Sequence, residues 1–182
     1  VDRELIPHPE TPASAVRFVS AGVQRLPGGL DLQYVVEGDA SLLVIPAPAK
    51  PYRTDELWRS TCFELFIREG NQAYCEINLS PSGQWAAYRF QDYRGEAEDL
   101  DLDEPPRIWF SREPFGLLLT ASITIGLRGN GPVGLSAVIG EKDGTISYWA
   151  LAHPPGDPDF HHPACFALEL PAETDILPSP RT

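Results

Sequence analysis

The chain has 182 residues, 42% hydrophobic and 22% charged, which suits one soluble domain long enough to bury a real core. Its 26 acidic against 14 basic residues give a net charge of −12, which excludes a phosphate-neutralising stripe and argues against nucleic acid or an anionic membrane surface as partner. Its 19 prolines and 15 glycines cut the chain into short pieces with no sustained helical period, so an all-β fold is expected.

In chain order, residues 1–12 read as an extended lead-in, and Val16 and Phe18 open the first strand. Leu30, Leu32, Tyr34 and Val36 alternate with Asp31, Gln33, Val35 and Glu37, the period of a half-buried strand. Leu42 to Ile45 is a short apolar run ended by Pro46 and Pro48, and residues 47–57 are a loop. Cys62 to Arg68 is a strand with Phe63, Leu65 and Ile67 on one face and Cys62, Glu64 and Phe66 on the other. Tyr74 to Phe90 reads as a hairpin around Ser80-Pro81-Ser82-Gly83, where Pro presets φ and Gly accepts a positive φ. It places Glu76 and Asn78 on its polar side and Trp85 just after the turn.

Residues 91–106 carry Glu96, Glu98, Asp99, Asp101, Asp103 and Glu104 and read as a solvated loop. A calcium loop is the alternative, but the glycine precedes the acids and no EF-hand spacing exists. Leu117 to Ile125 is a long apolar strand, and Val133 to Ile139 and Thr145 to Leu151 flank an Asp143-Gly144 hairpin turn. A Pro- and His-rich loop at residues 152–163 leads to Phe166, Leu168 and Leu170. Residues 13–171 are therefore expected to form one antiparallel β-sandwich of two sheets and about nine to ten strands, with residues 172–182 as a tail.

The three cysteines argue against a disulfide framework. Cys62 and Cys75 face opposite ways, and Cys165 sits among core residues. No secretory leader pattern and no membrane-length apolar run occur, so the cytoplasm is expected. A removed leader stays compatible with a chain that starts at Val1 and has no Met.

Glu64 and Glu76 lie on one side of adjoining strands, with Asn78 beside them. Such acids can pair with Arg53, Arg89 or Arg94, or accept hydrogen bonds from a ligand. They can also act as a glycosidase pair about 5 to 10 Å apart. Trp58 follows an acidic loop and is the tryptophan best placed for exposure, offering a flat apolar face for a pyranose ring. His153, His161 and His162 with Asp159 match no zinc spacing; capping and hydrogen bonding is the first reading for them, a ligand-site role the second and a metal the third. No triad, P-loop or dinucleotide fingerprint is present.

Three segments then stand in a telling order: Leu57-Trp58-Arg59-Ser60-Thr61-Cys62-Phe63-Glu64-Leu65-Phe66-Ile67, Tyr74 to Arg94 with its Ser-Pro-Ser-Gly turn, and Ser147-Tyr148-Trp149-Ala150-Leu151-Ala152-His153-Pro154 running to His161. Together they resemble the bacterial DOMON-like proteins, which are related to the type 9 carbohydrate-binding modules. The resemblance covers roughly residues 15 to 170 and implies a jelly-roll-like sandwich that binds sugars or haem in a surface cleft without catalysis of its own. Some relatives hold haem through Met and His. The absence of Met here removes that ligand pair.

The expectation is a non-catalytic module for a saccharide-like ligand, with no cofactor. Trp58 would stack, Glu64, Glu76 and Asn78 would hydrogen-bond, and Arg94 and His153 would rim the same cleft. A protein–protein interaction module, a haem-binding domain and a glycoside hydrolase are the alternatives, in that order.

Overall fold

The computed structural model describes residues 2–126 and 131–170; the expected tail, residues 172–182, lies outside them. In chain order the strands are β1 (Asp2–Pro7), β2 (Val16–Leu26), β3 (Gly29–Gly38), β4 (Cys62–Arg68), β5 (Tyr74–Leu79), β6 (Trp85–Phe90), β7 (Glu98–Asp99), β8 (Arg107–Glu113), β9 (Gly116–Thr124), β10 (Pro132–Gly140), β11 (Ile146–Ala150) and β12 (Leu168–Glu169). Two short 3-10 turns, Leu57–Arg59 and Pro163–Cys165, are the only helical pieces among the described residues.

Every strand pairing is antiparallel, in the order β7-β6-β5-β4-β10-β11-β1-β2-β3-β9-β8, with β12 added to β10. The all-β class is as expected. The strands run, however, as one curled sheet, a half-barrel. The reason is β1: Asp2 to Leu5 pair with β2, and Ile6 and Pro7 pair with Ala150 and Trp149 of β11. Residues 2–7, expected as a lead-in, are extended but sit in the middle of the strand order.

Alternation builds the core. Leu30, Leu32, Tyr34 and Val36 of β3 and Leu117, Leu119, Ala121 and Ile123 of β9 turn inward and meet Phe63, Leu65, Ile77, Leu135 and Ile139 from the other limb. The Tyr34 ring packs on Phe63 at 5.0 Å, and its hydroxyl donates to the Glu64 carbonyl oxygen at 2.7 Å. Cys75 belongs to this core. Cys62 lies on the other face of its limb beside Asn78, and all three cysteines are free and buried.

β4 and β5 are covered on both faces, with only Arg68 among their residues not fully buried. Away from the main core they carry Phe66 and Tyr74 into a second apolar cluster with Phe90, Val138, Ala150, Phe160 and Phe166. Segments 152–166 therefore cover the outer face of this limb. That cover, and not the main core, shapes the functional site.

Candidate functional site

The hairpin register sets the floor. Glu64 lies opposite Asn78 on β5 and opposite Ser136 on β10, while Glu76 lies opposite Phe66 and Tyr88. Cross-strand partners share a face, so Glu64, Glu76, Phe66 and Tyr88 point the same way. A cavity of about 550 Å³ opens over them, a volume typical of small-ligand sites. Trp58, Tyr88, Phe90, Tyr148 and Phe160 give its aromatic walls, and Thr11, Arg94 and His161 also line it.

Both acids are buried, Glu64 to 3% and Glu76 to 6% exposure. Asn78 Nδ2 donates to Glu76 Oε1 at 2.7 Å, and Ser136 Oγ donates to Glu64 Oε2 at 3.4 Å. Burial pushes Glu64 well above the ordinary carboxylate range, helped by the charge of Glu76 and opposed by the Ser136 hydrogen bond. Burial lifts Glu76 to about 7, against the Asn78 hydrogen bond. His161 Nε2 lies 3.8 Å from Glu76 Oε2, and its Nδ1 meets the Tyr74 hydroxyl at 2.8 Å. Burial, then the Arg94 charge, push His161 down to about 4, so it is neutral at pH 7.

Trp58 sits on the turn Leu57–Arg59 and is 45% exposed, with the Arg59 guanidinium 4.9 Å from its ring centre. Arg94 is held by Asp159 at 2.9 Å, and Asp159 also accepts from the Tyr93 hydroxyl. Among the described residues, only Glu56 (φ 59), which precedes the Trp58 turn, and Arg94 (φ 52) are non-glycine residues with positive φ. Strained backbone of this kind gathers where loops are held for a purpose, and here both residues flank the cavity.

Four of the six expected site residues thus meet in one cavity: Trp58, Glu64, Glu76 and Arg94. Asn78 does not line it; fully buried on the same face beside the acids, it donates to Glu76. His153 does not line it either, because its Nε2 is bound to the Ile6 carbonyl at 2.8 Å and its ring packs edge-on against His8. The arginines considered as partners for the two acids are engaged elsewhere: Arg53 with Asp55 and Asp99, Arg89 with Glu69, and Arg94 with Asp159.

Tyr88 and Phe90 were within reach of sequence reasoning, since the Ser-Pro-Ser-Gly turn sets them opposite Glu76 and Tyr74. Tyr148, Phe160 and His161 come from distant segments; the third family-like segment contains all three and the His and Asp cluster marks His161, but no local pattern sets them over Glu64 and Glu76. Among the described residues no group of three or more His, Cys, Asp or Glu side chains could hold a metal ion. No described helix is long and apolar enough to cross a membrane.

Neither a family model nor a curated protein matches the chain. Among solved structures it is similar to a putative carbohydrate-binding protein from Bacteroides uniformis, with 16% identity and a TM-score of 0.63 over 91% of this chain and 83% of that one. At that identity the likeness is one of fold, and it extends over nearly the whole chain.

Proposed function

We propose that this chain is a non-catalytic binding module whose ligand is a saccharide, held in the cavity over Glu64 and Glu76 without a cofactor. One observation carries the reading: two buried carboxyls with few donors of their own lie on the floor of a solvent-reached cavity with aromatic walls. Sugar hydroxyls supply the missing hydrogen bonds, and C–H faces of a pyranose lie on the rings. The name of the Bacteroides uniformis protein and the DOMON-like motifs agree with this. We read the two limbs joined by β1 as the facing layers of a DOMON-like sandwich, supported by their shared core.

Calorimetric titration with a panel of mono- and oligosaccharides tests the proposal. Trp58→Ala is expected to weaken the sugar found by about tenfold, equal to roughly 1.4 kcal/mol, with folding stability changed by only about 0.5 kcal/mol because the ring is exposed. Glu76→Ala is expected to weaken it as well. Binding indifferent to both substitutions would place the ligand elsewhere.

A further inference from the structure

Among the described residues, buried Glu141 and half-buried Glu69 and Asp159 are answered by donors. Glu141, 3% exposed, accepts from the Ser14 and Ala15 amides and from the Ser14 hydroxyl. Glu69 is gripped by Arg89 at 2.9 and 3.2 Å, and Asp159 by Arg94 and Tyr93. Glu64 and Glu76 are the exception. Each receives one side-chain hydrogen bond, and among the described residues no arginine or lysine pairs with either. Burial at the cavity floor favours the protonated form of both acids, and a cation set against them is what would let them ionise there.

The walls point the same way. Electron-rich ring faces attract cations: Trp58 and Tyr88 already carry the Arg59 and Arg53 guanidiniums at 4.9 and 5.1 Å, and Phe90, Tyr148 and Phe160 line the cavity with the two acids. Arg94, the one cationic residue of the lining, is already neutralised by Asp159. Thr11 lines the cavity too, and its buried hydroxyl has no hydrogen-bond partner among the described residues.

Resting on the saccharide reading above, we propose that the cavity selects a sugar bearing a free ammonium group, an amino sugar, with its nitrogen set against Glu64 and Glu76. An ammonium brings three donors and one positive charge to acids that lack both. A neutral sugar brings hydroxyls only. An N-acetylated sugar replaces the cation by an uncharged amide that must fit against two acids, and an anionic sugar is repelled.

The test uses three β-1,4-linked tetrasaccharides that differ only at carbon 2: those of glucosamine, N-acetylglucosamine and glucose. Each is titrated into the protein at pH 7 and physiological salt. The glucosamine tetramer is expected to bind at least about tenfold tighter than the others. Glu64→Gln and Glu76→Gln are each expected to abolish the preference. Each removes one of 26 acidic residues, so general attraction to an acidic protein is almost unchanged. A preference that survives both substitutions overturns the proposal, because it then arises from overall charge. Equal or tighter binding of the glucose tetramer also overturns it, while leaving the saccharide reading intact. Failure of all three to bind overturns the proposal and leaves the saccharide reading to the wider panel. If a variant does not fold, the wild-type titration repeated at raised salt decides: a preference lost with salt arises from overall charge and overturns the proposal, and one that persists supports it, since partly buried pairs are screened less.

Discussion

Glu76 is 6% exposed, and burial lifts its pKa from the ordinary 4.5 to about 7. The folded chain therefore keeps a proton that the unfolded chain has released between these values. Stability from this residue is greatest below pH 4.5, declines as pH rises to about 7, and is level beyond. His161 works in the opposite sense, since burial drops it from 6.5 to about 4 and folding expels its proton. The two partly cancel below pH 6.5, and Glu64, raised by burial and by the Glu76 charge, adds to the Glu76 trend. Glu76→Gln removes the Glu76 titration together with its push on Glu64. The variant's stability relative to the native protein is expected to climb from pH 4.5 to pH 7, ending on the order of a few kcal/mol higher. Urea unfolding at several pH values measures this, and a difference independent of pH would contradict it. At this scale the floor was legible, because period-two spacing puts Glu76 and Asn78 on one face and a hairpin pairing of their strand with Cys62–Arg68 adds Glu64 to it. The behaviour of Arg94 and His153 was not, because a loop side chain is placed by whichever distant group captures it, here Asp159 and the Ile6 carbonyl.

Among the elements, β4 to β6 were readable from alternation and from one turn, whose Gly83 takes φ 90. The acids help hold that pairing. A slip of one residue turns every side chain to the opposite face, so Glu64 and Glu76 would enter the main core in exchange for Leu65 and Ile77. β1 was not readable as part of the sheet. Leu5 is its only buried residue, so no alternation marks it, and its two edges find partners far apart in the chain. The weight carried by this one side chain is testable. Leu5→Ala removes a 0%-exposed anchor from the strand that joins both limbs and is expected to cost about 2 to 5 kcal/mol. A shift in denaturation midpoint with unchanged slope reports it; a loss well under 1 kcal/mol would mean that β1 is a dispensable strap.

Across the whole molecule, composition was enough for the all-β class, since frequent Pro and Gly and short alternating runs leave few other folds. The half-barrel was beyond it. Alternation tells which face a residue takes, whereas the joining of two limbs depends on Ile6 meeting Ala150. The cavity inherits the same limit: its floor is local to two hairpins, but its lining also draws on Thr11, Tyr148 and Phe160.

That wide sourcing ties the cavity to the seam of the half-barrel. The His8 amide, just beyond β1, donates to the Tyr148 carbonyl oxygen at 2.8 Å, and the Tyr148 side chain lines the cavity. A guest resting on that ring should damp the opening of the seam, and the His8 amide should trade its proton for deuterium more slowly when the guest is bound. If its exchange rate stayed constant while the Tyr88 region became protected, occupancy and seam opening would be independent events.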